Sequence, residues 1–140
     1  DGKLKDELKE LMEELNLKER IFFMGPVSYQ EIHRYYQIAD LHLLASISEG
    51  RPNVIYQAMS CSVPTVSTAV GGVPEMVRDK VSGMLVEPNV TSFSETINEL
   101  FLTEGKLKRQ GHEARLKLNE LEVDKESVVQ NHLEVYRKLL

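Results

Sequence analysis

Read for the spacing of its apolar positions, the chain switches repeatedly between a helical and an extended pattern. Leu4, Leu8, Leu11, Met12 and Leu15 recur three or four residues apart with Lys and Glu between them, which predicts an amphipathic helix. Ile21-Phe22-Phe23-Met24 is a continuous apolar run ended by Gly25-Pro26, which predicts a buried strand. Ser28 and Glu31 have capping-box spacing, and the helix they open carries Ile32, Tyr35, Tyr36 and Ala39 on one face. Leu41-His42-Leu43-Leu44-Ala45 is the next strand. Pro52 suits the first turn of a helix reaching about residue 60. Thr65-Val66-Ser67-Thr68 is a third strand, Gly71-Gly72 a loop, and Pro74 the start of a short helix. Gly83-Met84-Leu85-Val86 is a fourth strand, ended by Pro88. Beyond Thr91 the pattern is helical: Phe93, Ile97, Leu100 and Phe101 mark one helix, and Leu107, Ala114, Leu118 and Leu121 a second. Asp124 caps a third, whose inward residues are Val128, His132, Val135, Tyr136 and Leu139.

Short, almost wholly apolar strands alternating with helices predict βαβ units: an α/β fold with a Rossmann-like parallel sheet flanked by helices, followed by C-terminal helices. The expected organisation is one partial domain over residues 1–140, with an α/β core to about residue 102 and helices over 103–140. In open sheets of this class ligands bind beyond the carboxyl ends of the strands. The loops after Met24, Ala45 and Thr68 are therefore the places for chemistry.

Composition narrows the partners. The 140 residues suffice for one core, and a net charge of −5 argues against nucleic acid as a partner. A small diphosphate remains possible, because it needs only local donors. Cys61 is the single cysteine, so no internal disulfide forms. No apolar run approaches the roughly 20 residues of a membrane span, no signal peptide is visible, and a cytoplasmic location is expected. Asn89-Val90-Thr91 fits a glycosylation sequon and is read as a chance occurrence. The four histidines show no metal spacing. His42 is expected to be a packed or hydrogen-bonded core residue and Cys61 a small buried hydrophobe.

The segment from Ala45 to Gln57 carries the candidate chemistry. Gly50 would let the backbone approach a ligand closely. Pro52 opens a helix whose first amides lack intrahelical partners and favour an anion such as phosphate. Gln57 lies about one and a half turns further on. Glu49 and Gln57 could thus hold two parts of one ligand, the carboxylate accepting from sugar hydroxyls. On these grounds alone a second reading stands beside the first: Glu49 caps the helix and Gln57 is a solvated polar residue.

Glu49-Gly50-Arg51-Pro52-Asn53-Val54-Ile55-Tyr56-Gln57-Ala58-Met59-Ser60-Cys61 resembles the glutamate-x7-glutamate motif of GT-B glycosyltransferases, specifically the retaining family 4, or group 1, transferases. Phe23-Met24-Gly25-Pro26-Val27, the strand from Ala39 to Ser46, Val63-Pro64-Thr65-Val66-Ser67-Thr68, Gly71-Gly72-Val73-Pro74-Glu75-Met76-Val77 and Gly83-Met84-Leu85-Val86 resemble further segments of that family, in order. The resemblance implies the donor-binding, C-terminal half of the GT-B fold. It assigns Glu49 to the donor-sugar hydroxyls and the catalytic role, with Gly50, Arg51 and Asn53 completing the sugar and phosphate contacts. Val27 and Gln57 would bind the nucleotide. The family's second glutamate, which holds the ribose, is replaced by Gln57, so an uncharged and weaker bond is expected there. Pro52 removes one amide from the usual glycine-rich version, and Ser62 stands where relatives usually have glycine. The implied substrate is a nucleotide sugar such as a UDP- or GDP-sugar, with no cofactor and no metal. The implied partner is an N-terminal, acceptor-binding domain absent from this chain, without which the fragment is expected to be inactive. A basic amphipathic face touches the membrane in some relatives. The mixed charges here allow at most a peripheral contact. The alternative is a non-catalytic nucleotide-sugar-binding module.

Overall fold

The computed structural model describes residues 2–121 and 123–139, and in the last helix every side chain except those at 131, 135, 136, 138 and 139. The chain divides into two compact units, Asp1–Ile32 and His33–Leu140.

The first unit holds α1 (Lys5–Glu14), the helix its leucine spacing predicts. None of its residues is buried. Residues 21–24 depart from expectation: they form no strand, and Phe22 is 73% and Met24 56% exposed. A strand persists through a ladder to a neighbour, and among the described residues nothing pairs with this run. Ser28 and Glu31 meet side chain to side chain, Ser28 Oγ donating to Glu31 Oε2 at 2.9 Å, rather than as a reciprocal capping box.

The second unit begins with most of α2 (Ile32–Gln37) and contains a parallel three-stranded sheet: β1 (His42–Leu44), β2 (Thr65–Thr68) and β3 (Gly83–Val86), in that spatial order. Between and after them come α3 (Asn53–Ser60), α4 (Val73–Met76), α5 (Val90–Leu102), α6 (Lys106–Glu120) and α7 (Lys125–Leu139). Register places Leu44, Ser67 and Leu85 in one row and Leu43, Val66 and Met84 in the next. Because successive strand residues point to opposite faces, the sheet feeds two cores. Ile55 and Met59 of α3, Val73 and Met76 of α4, and Ala114 of α6 gather with Leu44 and Leu85 on one face. Leu100 and Phe93 of α5 gather with Val66, Met84 and Val86 on the other. The expected α/β architecture with a parallel sheet and helices on both faces is thus observed.

α3 and α6 cross closely enough that only glycine fits at Gly111, where a Cβ would lie 2.1 Å from Ser62 O. Ser62 itself sits in left-handed backbone (φ 58), which explains why glycine suits this position. Asn89 caps α5, its side chain accepting from Ser92 N, and that cap is the structural use of the sequon asparagine. Asp124 caps α7 as expected, accepting from the amides of Glu126 and Ser127. Val128 and His132 are exposed rather than inward, since nothing among the described residues covers that face. Val135, Tyr136 and Leu139 lie outside the described side chains. Phe101 also faces out, at 57% exposure, while Leu100 carries the packing of α5. No helix among the described residues is long and apolar enough to cross a membrane.

Candidate functional site

Two loops at the carboxyl edge of the sheet build the site. The first, 45–52, leaves β1 and enters α3; the second, 69–72, leaves β2 and enters α4. Hydroxyls of β2 fasten the end of β1: Ser67 Oγ donates to Leu44 O at 3.0 Å, and Thr68 Oγ1 donates to Ser46 O. Ser46 in turn donates from Oγ to Glu49 Oε1 at 2.6 Å. Glu49 is half-buried, and its second carboxylate oxygen has no partner among the described residues.

The loops also meet backbone to backbone. Gly72 N donates to Gly50 O at 2.8 Å. Gly71 has φ 53, and a Cβ there would stand 1.7 Å from Glu49 O; a Cβ at Gly72 would stand 2.7 Å from Gly50 O. The glycine pair therefore sets where the Glu49 loop lies. Sequence reasoning recognised a loop here but not its role. The signal was two adjacent glycines directly after a strand, at the edge where ligands bind.

Around Gly50 the space is open, with nothing within 4 Å of an added Cβ. Pro52 is the N-cap residue of α3 and no side chain caps the helix, so Glu49 is not a helix cap. The amides of Asn53 and Val54 have no backbone partner, which leaves donors and the positive end of the helix dipole facing outward. Asn53 is exposed at the first position of α3. Gln57 is half-buried one turn on, and its side-chain amide makes no hydrogen bond among the described residues. Arg51 is directed to α4, with Nη2 3.8 Å from Glu75 Oε2, and half its side chain is exposed. An exposed pair of this length contributes little, so the guanidinium is free to exchange partners. Val27 belongs to the first unit, whereas Glu49, Gly50, Arg51, Asn53 and Gln57 share the loop and helix of the second.

Next to this loop, Ala45, Ile47, Pro88, Val90, Phe93 and Ile97 line an apolar cavity of about 490 Å³. His42 is the hydrogen-bonded core histidine expected, with Nδ1 3.1 Å from Thr65 Oγ1 and its ring edge-on to Tyr36 at 5.7 Å. Burial lowers its pKa below the usual histidine value. Cys61 is half-buried rather than fully enclosed. Among the described residues no group of three or more His, Cys, Asp or Glu is placed to hold a metal ion.

The family model described as "Glycosyl transferases group 1" matches residues 1–117. Among curated proteins the chain is similar to D-inositol 3-phosphate glycosyltransferase of Mycobacterium sp. (strain KMS), with 41% identity over 96 residues, covering 68% of this chain and 22% of that protein. The same-named protein of Mycolicibacterium gilvum is 39% identical over 99 residues, again 22% of its length. The chain thus spans about a fifth of these curated relatives. Among solved structures, sucrose-phosphate synthase from Thermosynechococcus elongatus superposes with a TM-score of 0.88 at 25% identity, covering 99% of this chain and 35% of that one. Anabaena HepE in complex with UDP superposes at 0.87 and 25% identity, covering 95% and 36%. The two-loop geometry, the parallel sheet and a family match running from the first residue to 117 converge: the chain belongs to the group 1 glycosyl transferases.

Proposed function

We propose that this chain is the donor-binding part of a retaining glycosyltransferase that takes a hexose from a nucleotide diphosphate, the acceptor being held by an N-terminal domain beyond these residues. The observation that carries the reading is the Glu49 carboxylate, held through one oxygen by Ser46 and open at the other, directly before the unsatisfied amides of α3. Glu49 accepts hydroxyls of the donor sugar, and Gly50, Arg51 and Asn53 surround the sugar and phosphate. The α3 amides stabilise negative charge on the departing diphosphate, the kind of preorganised electrostatic help that dominates many group transfers. Gln57 binds the nucleoside, with UDP favoured because the similar HepE structures contain UDP, one of them with glucose. No metal or cofactor enters this scheme, and the cytoplasm is the proposed site of action. The chain by itself is expected to bind donor without turning it over.

Calorimetric titration with UDP, GDP and UDP-glucose tests the reading. Glu49→Ala should weaken UDP-glucose more than UDP. Gln57→Glu should tighten both by about tenfold, a charged acceptor forming roughly twice as strong a bond to the ribose hydroxyls. Absence of nucleotide binding by the parent chain, or a Gln57→Glu variant that binds no better, removes the support for this assignment.

A further inference from the structure

All four residues of β2 are buried, yet Thr65, Ser67 and Thr68 carry hydroxyls. A strand covered on both faces is ordinarily rich in Val, Ile and Leu, and a buried hydroxyl costs stability unless it is hydrogen-bonded. Each of these hydroxyls reaches toward β1 or the loop that leaves it. Thr65 Oγ1 meets His42 Nδ1 at 3.1 Å, Ser67 Oγ donates to Leu44 O at 3.0 Å, and Thr68 Oγ1 donates to Ser46 O. The first two partners belong to β1 itself. The third lies beyond its end, in the loop that carries Glu49. Valine has nearly the shape of threonine, so packing alone does not call for an oxygen at residue 68.

Ser46 continues the chain of bonds. The carbonyl held by Thr68 and the hydroxyl that donates to Glu49 Oε1 at 2.6 Å belong to the same residue. That length falls in the range of a charge-assisted O–H···O⁻ bond. Among the described residues Ser46 is the only hydrogen-bond partner of the Glu49 side chain, and no cation pairs with it, since Arg51 is directed at Glu75. One hydroxyl thus decides where the carboxylate points. Glutamate is among the side chains that lose most rotamer freedom on being ordered, and a group ordered before the ligand arrives spares binding that cost.

We propose that Ser46 and Thr68 are positioning residues for recognition of the donor sugar. Thr68 fixes Ser46, and Ser46 engages one Glu49 oxygen so that the other is left for a sugar hydroxyl. The proposal rests on the donor-sugar role of Glu49 given above, and both residues act through that carboxylate. Gln57 and the α3 amides lie outside the relay, so β2 sets how well the sugar is held and leaves nucleotide affinity alone.

The test is calorimetry on the full chain with UDP and UDP-glucose, the ratio of the two affinities being the glucose increment. Ser46→Ala should cut the increment about fivefold and Thr68→Val about threefold, with UDP affinity within about twofold of the parent. Ser46→Thr and Thr68→Ser keep the hydroxyls and should restore the increment. In a Glu49→Ala background, Ser46→Ala should change it no further. Without ligand, three-bond couplings across Glu49 χ1, measured by NMR, should report one rotamer in the parent and an average in Ser46→Ala. Equal weakening of UDP and UDP-glucose, no recovery in Ser46→Thr, or a Glu49 rotamer unchanged in Ser46→Ala each overturn the proposal. Failure of the donor-sugar reading gives a different pattern: the parent binds no UDP-glucose, or Glu49→Ala keeps the whole increment, while the couplings still show Ser46 holding the carboxylate. The proposal then falls with that reading.

Discussion

Gly71→Ala tests whether the glycine pair positions the Glu49 loop. In the structure a Cβ at Gly71 would stand 1.7 Å from Glu49 O and 2.8 Å from Glu49 C, both backbone atoms, where ordinary contact begins near 3.4 Å. No flexible side chain can yield, so the carbonyl of Glu49 must retreat by about 1.7 Å or the second loop must open. Opening it breaks the 2.8 Å bond from Gly72 N to Gly50 O, a net loss of about 1 kcal/mol. Holding alanine at φ 53 adds about 1–2 kcal/mol. The stiffer unfolded chain returns about 0.4–1 kcal/mol. The expected destabilisation is about 2–4 kcal/mol once the displaced contacts are included, read as a lower urea midpoint at unchanged slope. UDP-glucose affinity should fall in the fraction that stays folded, because Glu49 has moved. Gly50→Ala is the control: nothing lies within 4 Å of its added methyl, so stability should stay within about 0.5 kcal/mol while a ligand that approaches the backbone there is excluded. A Gly71→Ala variant within about 1 kcal/mol of the parent and binding donor equally well would refute the packing argument.

Further outcomes follow from other positions. Ser62→Gly should stabilise by about 0.5–1 kcal/mol in urea unfolding, relieving left-handed backbone at φ 58, whereas Gly111→Ala should destabilise by about 1–3 kcal/mol because its Cβ would meet Ser62 O at 2.1 Å; the opposite sign for either would show that α3 and α6 do not cross as described. His42 has a folded pKa lowered by burial, so the unfolded chain takes the proton first. Its contribution to stability is complete above the unfolded value of about 6.5 and is lost as pH falls below that toward the folded pKa. Urea midpoints of the parent should therefore drop between pH 7.5 and 5.5 more than those of His42→Gln, and equal slopes would mean that this histidine is not buried neutral.

Much of the second unit was legible because its local signals agree with its packing. Thr65-Val66-Ser67-Thr68 and Gly83-Met84-Leu85-Val86 are short apolar or β-branched runs between breakers, and they became β2 and β3 with the same bounds. The loop between β1 and α3 was placed correctly because it follows a strand and precedes a proline. Residues 21–24 show the limit of this reasoning. Their apolar run fits a strand as well as any other, but a strand is a property of pairing, and pairing depends on residues distant in sequence. The last helix forms as expected, but its inward face was misplaced for a similar reason: the period of Val128 and His132 is helical, yet period alone does not say whether another element covers the face. The Gly71–Gly72 contact with Glu49 and Gly50 was not legible either, since it joins two loops through backbone atoms that carry no side-chain identity. Ser62 lies between these cases. Its departure from the expected glycine was visible, and the left-handed φ supplies the reason.

The structure separates the two halves of the motif physically. Glu49 is placed by Ser46, by the β2 hydroxyls behind it and by the Gly71–Gly72 backbone, none of which forms a hydrogen bond to the Gln57 side chain among the described residues. Gln57 is placed by α3, whose Ile55, Ala58 and Met59 are buried in the core. A change of charge at residue 57 can therefore alter what that position recognises without shifting the Glu49 carboxylate. The reverse also holds, because opening the glycine loop moves Glu49 and leaves α3 anchored. On the proposed assignment, glutamine at 57 removes a charge at one end of the site and leaves the Glu49 carboxylate where Ser46 holds it. If Glu49 and Gln57 hold the sugar and the nucleotide as proposed, the expected combination is weakened nucleotide binding with preserved sugar contacts, and Gln57→Glu should raise affinity for UDP without changing the added contribution of the glucose.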